Sequence, residues 1–193
     1  AFGEGHNAAA RNLKEGLLAE DPTLTVEIHD VFQEAYGSAN ELARRGYLAT
    51  INHAPALWSL CFWFLDATPI VEWHIGLYGA AIRRLDNLLS TLRPGLVVST
   101  YPGCNHLLET IGRRRLRRPF KIVTVITDSI TVNSAWYKPH SDAFVVPNDI
   151  TARGLIDRGL PQDKIQALGF PVPTVFDSYS RLEKSAPSGG EPW

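Results

Sequence analysis

The chain has 193 residues with 45% apolar and 20% charged side chains, the balance of an ordinary globular protein with enough length to bury a core. A net charge of −1 leaves no global field to attract nucleic acid. Its two cysteines, Cys61 and Cys104, lack CxxC spacing, which reads as reduced thiols of an intracellular protein and speaks against a disulfide framework.

The chain opens on Phe2-Gly3-Glu4-Gly5-His6-Asn7-Ala8-Ala9-Ala10. Two glycines permit a tight turn and a close approach of ligand to backbone. The helix expected next, Asn7 to Glu20, aims its free N–H groups and positive dipole end at the same spot. His6 stands there with a side chain that exchanges protons near neutral pH. A turn of this kind follows a buried strand, yet only two residues precede Gly3, and the chain contains no methionine. Both features suggest a piece of a longer protein with its first strand truncated.

Asp21-Pro22 ends the helix, and Leu24 to Val31 alternates apolar with polar residues, the pattern of a strand. A long helical region is expected from Gln33 to Leu92, broken near Pro55 and Pro69 and most periodic from Ile70 onward. Within it, Trp58, Phe62, Trp63 and Trp73 form an aromatic stretch that Asp66, Pro69, Glu72 and His74 interrupt before it could span a bilayer. It suits either a core or domain-contact surface, or an interfacial segment that rests tryptophans among lipid headgroups.

Leu96 to Thr100, Ile122 to Thr127 and Ala143 to Val146 are short β-branched runs, the mark of buried parallel strands. Asn105 to Arg117 is expected as a basic helix, Asn148-Asp149 caps a helix that runs to Arg158, and Lys164 to Leu168 is a last short strand. The order is that of an α/β fold with a Rossmann-like, doubly wound parallel sheet, in which ligands bind beyond the carboxyl ends of the strands. His6, Asp30, Tyr101, Pro102, Asp128 and Asn148 all fall at that end. Asp128 can take a proton, orient His6, bind a hydroxyl, or merely cap a turn. Arg113, Arg114, Arg115, Arg117 and Arg118 place five guanidiniums in six positions. They suit a solvated face or an anionic membrane surface, where each is worth about 1 kcal/mol, better than a nucleic-acid patch with interleaved aromatics. No histidine or cysteine spacing suggests a metal site.

Taken in order, Gly3-x-Gly5-His6-x-x-Ala9-Ala10, Asp30-Val31, Thr100-Tyr101-Pro102, Val125-Ile126-Thr127-Asp128, Trp136, Asp142-x-Phe144-Val145-Val146 and Lys164-Ile165-x-x-x-Gly169-Phe170-Pro171-Val172 resemble the acceptor half of the monogalactosyldiacylglycerol synthase and processive diacylglycerol glucosyltransferase family. The resemblance implies the N-terminal half of a GT-B glycosyltransferase. Residues 1–176 would form the lipid-acceptor domain, and 177–193 a linker toward a missing C-terminal domain that binds the nucleotide sugar. It implies inverting transfer of a hexose from a UDP-sugar to diacylglycerol, with no other cofactor. His6 would be the general base and Asp128 its acidic support. Gly3, Gly5, Tyr101, Pro102, Asn133 and Trp136 would line the substrate site, at a cytoplasmic membrane face. Many members carry a histidine where this chain has Asn133, which hydrogen-bonds but relays no proton. A non-catalytic membrane-associated module, or a relative acting on a non-lipid acceptor, are the alternative readings.

Overall fold

A computed structural model describes residues 4–54, 56, 78–114, 119–129 and 132–176. The first helix, α1, covers Glu4–Glu20 and so starts three residues earlier than its apolar spacing suggests. Gly5 and His6 are therefore helical rather than part of a turn, and Gly3 lies outside the described residues. Two contacts explain the early start. The hydroxyl of Thr100 donates to the His6 carbonyl at 3.1 Å, and Ala9 is buried, so tertiary packing overrides the poor helix propensity of glycine.

The alternation at Leu24 to Val31 does not become a strand. Residues 24–30 form no regular element and pair with no strand of the described sheet, and Val31 already belongs to a helix. Leu24 and Ile28 stay 43% and 44% exposed, so the alternation has no core to serve. Asp30 instead caps the short helix α2, Val31–Tyr36, by accepting from the Gln33 N–H at 3.0 Å. The long helical region is then divided by Gly37, whose φ of 53° separates α2 from α3, Ser38–His53.

Helix α4, Gly79–Leu92, buries Ala81, Ile82, Leu85, Leu88 and Leu89 along one stripe, as its periodicity requires. It ends at Arg93 in the left-handed region, with the Arg93 N–H bonded to the Leu89 carbonyl. The chain then enters β1, Leu96–Ser99, and returns through α5, Pro102–Arg114, with proline at the first helical position where its missing N–H costs nothing. Next come β2, Lys121–Val125; β3, Ala143–Val146; α6, Asp149–Ile156; and β4, Ile165–Ala167. Asn148 caps α6 as expected, accepting from the Thr151 N–H at 2.8 Å.

The four strands pair in the order β1-β2-β3-β4, all parallel, with Val97 opposite Ile122 and Val125 opposite Val145. This is a Rossmann-like α/β sheet. One core cluster joins α4 and α5 to Ile122 through Leu85, Leu107, Leu108 and Ile111. A second gathers Ile126, Val132, Trp136, Phe144, Val146 and Leu155. Among the described residues, no helix is long and apolar enough to cross a membrane. The aromatic calls at Trp58, Phe62, Trp63 and Trp73, and those at Arg115, Arg117 and Arg118, lie outside the described residues.

Candidate functional site

At the carboxyl ends of β1 and β2 the chain brings together residues from four parts of the sequence. Helix α1 delivers His6, and the loop after β2 delivers Thr127 and Asp128. Tyr101 comes from the loop after β1, and Trp136 from a short 3-10 turn, Ser134–Trp136.

His6 Nδ1 lies 2.7 Å from the Thr127 hydroxyl. Its ring packs edge-on against Tyr101 at 5.3 Å between centroids and tilts toward Trp136 at 5.8 Å. Burial among these rings holds the imidazole below its ordinary pKa, with the Asp128 charge opposing the shift. Desolvation wins, so His6 is neutral at neutral pH. When Nδ1–H donates to Thr127, the lone pair sits on Nε2, the arrangement a proton acceptor needs.

Asp128 is neither a helix cap nor an isolated acid. Its Oδ2 accepts from the Trp136 indole N–H at 2.7 Å. Trp136 is fully buried, and its backbone carbonyl accepts from Asn105 Nδ2 at 3.2 Å. Trp136 is thus fixed by its burial and through its backbone, and its indole holds the carboxylate in turn. Asn133 serves a local purpose: its Oδ1 accepts from the Ala135 N–H at 2.9 Å and starts the 3-10 turn that carries Trp136. Its side-chain oxygen is spent on the backbone, so it supports the site through Trp136.

Tyr101 is held by a close approach. A Cβ added at Gly103 would stand 2.8 Å from Tyr101 Cε1 and 3.2 Å from Phe32 Cζ, so only glycine lets the two rings meet there. Phe32 packs edge-on against Tyr101 at 5.6 Å and Tyr78 at 5.9 Å. Burial raises the Tyr101 phenol far above its usual pKa and keeps it neutral. Pro102 begins α5 immediately behind it.

An open cleft of about 260 Å³ lies against this group, lined by Gly5, His6, Ala8, Ala9, Thr127, Asp128, Phe170 and Pro171. That volume lies just below the range of about 300–1,000 Å³ usual for small-molecule sites. A Cβ at Gly5 would meet no protein atom within 4 Å, so the protein's own packing does not demand a glycine there. Among the described residues, no three His, Cys, Asp or Glu side chains gather to hold a metal ion.

The chain matches the family model described as monogalactosyldiacylglycerol (MGDG) synthase over residues 6–172. It belongs to the MGDG synthase family. It is 25% identical over 182 residues to a processive diacylglycerol beta-glucosyltransferase of Staphylococcus haemolyticus, covering 92% of this chain and 44% of that one. It is 26% identical over 181 residues to monogalactosyldiacylglycerol synthase 2, chloroplastic, of Arabidopsis thaliana, covering 90% of this chain and 38% of that protein. The chain thus spans less than half the length of these relatives. No solved structure matches it.

Of the residues expected at the site, the structure gathers Gly5, His6, Tyr101, Asp128 and Trp136, with Asn133 one step behind. Arg113 and Arg114 are not among them. They end α5, whose 13 residues span about 20 Å from Pro102, and so sit at the amino end of the sheet. Sequence reasoning missed Thr127 and Thr100 as partners of His6, and the Phe170-Pro171 wall. Thr127 had a signal, since it adjoins Asp128 at a strand end. The Thr100 contact, 94 positions from His6, had none.

Proposed function

We propose that this member of the MGDG synthase family is the acceptor-binding half of a glycosyltransferase that moves a hexosyl group from a UDP-sugar to diacylglycerol or a related lipid. His6 takes the proton from the acceptor hydroxyl as that oxygen attacks the anomeric carbon, and the diphosphate leaves with the C–O bond electrons, inverting the centre. Asp128 stabilises the imidazolium that results, and Trp136 keeps Asp128 in place. The single observation that carries this reading is the half-buried His6 with Nδ1 bonded to Thr127 beside Asp128, facing an open cleft. The Gly5 N–H, at the positive end of α1, adds a donor for the phosphate or the acceptor. A second domain after residue 176 supplies most of the nucleotide-sugar contacts. The enzyme works as a peripheral protein, with the tryptophan stretch and the arginines as its membrane contacts.

The test is His6→Ala in the full-length protein, assayed for hexosyl transfer to diacylglycerol in vesicles. Loss of a general base lowers kcat by about 10²–10⁴-fold. Near-normal turnover with intact lipid binding removes His6 from the chemistry. Absence of transfer by the unaltered protein to any lipid acceptor removes the glycolipid reading itself.

A further inference from the structure

The cleft beside His6 has a lining of two unlike kinds. His6, Thr127 and Asp128 bring an imidazole, a hydroxyl and a carboxylate to its lining, and Phe170 and Pro171 bring hydrocarbon to the same lining. Phe170 is 46% exposed, whereas Trp136 is buried completely. Exposure of an aromatic residue in a cleft leaves apolar area for a ligand to cover.

The position of Phe170 is set by its neighbours. The Leu168 N–H donates to the Val146 carbonyl at 3.1 Å where β4 ends. Gly169 then turns the chain at φ 90°, a conformation that favours glycine. Asn12 Nδ2 donates to the Pro171 carbonyl at 2.9 Å, and the Thr174 hydroxyl bonds to the Glu15 carboxylate. Asn12 and Glu15 belong to α1, the helix that carries His6. His6 and the Phe170–Pro171 segment are therefore tied to the same helix.

Polar groups and an aromatic residue lining one cleft select a particular kind of ligand. A pyranose ring carries hydroxyls around its edge and polarised C–H bonds on its face. The hydroxyls suit Asp128 and Thr127, and the C–H face suits the negative face of an aromatic ring. An acyl chain would strip water from Asp128 and Thr127 and return no hydrogen bond. A glyceryl group has too few carbons to cover a phenyl ring. We propose that Phe170 is the stacking platform for a hexosyl ring in the His6 cleft, and hence a specificity-determining residue. This rests on the glycosyl-transfer reading. The ring has two sources, the sugar of the donor or a sugar already carried by the acceptor lipid, and both present the same chemistry.

The experiment compares Phe170→Ala, Phe170→Leu and Phe170→Trp in the full-length protein. Each is assayed with a UDP-hexose and two acceptors, diacylglycerol and a monohexosyl diacylglycerol. Phe170→Ala and Phe170→Leu should lower kcat/KM at least tenfold, and Phe170→Trp should keep most of it. Loss confined to the glycosylated acceptor assigns the ring to the acceptor sugar. Equal loss on both, with a raised donor KM, assigns it to the donor. An effect under twofold on both acceptors, or equal activity of the Leu and Trp variants, overturns the proposal. A second readout needs no turnover: saturation-transfer NMR from aromatic protons to the ring C–H protons of a methyl hexoside. The signal is expected in the unaltered protein and in Phe170→Trp, and lost in Phe170→Leu. Saturation without transfer to any lipid would retain the platform and defeat the glycolipid reading. Transfer without saturation, and without an effect of Phe170→Leu, would defeat the platform alone.

Discussion

The two ends of α5 are built on opposite principles. At its start, Tyr101 and Pro102 enter a packed group in which His6, Asp128 and Trp136 are partly or wholly buried, and His6 Nδ1 and Asp128 Oδ2 each have a fixed partner. At its finish, Arg113 stands 77% exposed and pairs with Glu109, one turn back at 3.1 Å, and Arg114 is exposed beside it. Desolvation strengthens electrostatics at the first end, and water screens them at the second. The first end can therefore hold a proton acceptor in one orientation. The second offers charge without geometry, which suits a diffuse anionic surface, and cations there also complement the negative end of the helix dipole.

Substitutions sharpen this contrast. The largest expected effect is at Trp136: replacing a fully buried tryptophan with alanine costs about 3–5 kcal/mol and leaves Asp128 without its indole donor. A denaturant titration measures it, and Trp136→Phe separates the lost hydrogen bond from the lost volume. Gly103→Ala comes next. Its Cβ would press on Tyr101 and Phe32, so a cost of about 1–3 kcal/mol and a displaced Tyr101 are expected, read as a lowered Tm with shifted His6 ring resonances. The smallest effect belongs to the other end: Arg113→Gln with Arg114→Gln should leave Tm unchanged while weakening salt-sensitive binding to anionic vesicles. A large loss of Tm from the arginine pair would erase the distinction between the ends.

Much of the fold is legible in the sequence where a pattern is local and strong. The stripe in α4, the β-branched runs of β1 to β3 and the Asn148 cap all fall where spacing puts them. Leu24 to Val31 shows where alternation misleads: a strand needs a partner, and periodicity carries no information about one. The start of α1 shows the reverse case, in which Thr100 and the core hold glycine in a helix that its propensity opposes. At the site, His6 and Asp128 stand out because their chemistry is visible in the side chain. Thr127 meets His6 across 121 positions, and Phe170 meets the cleft only after β4 and Gly169 have turned the chain. Those encounters are made by the sheet, and no short window of sequence contains them.

His6 also links the site to pH. Its folded-state pKa is lowered, so the unfolded chain binds the proton more readily. Stability from the neutral ring is complete above the unfolded value of about 6.5 and declines as pH falls through the lower folded value. The same ionisation governs catalysis if His6 is the base. The most direct test is the pH dependence of kcat/KM in the full-length protein with diacylglycerol as acceptor. A unit-slope acidic limb with a pKa below about 6.5, absent from the residual activity of His6→Ala, is the predicted result. An acidic limb that survives unchanged in His6→Ala would contradict it and move the base to another residue.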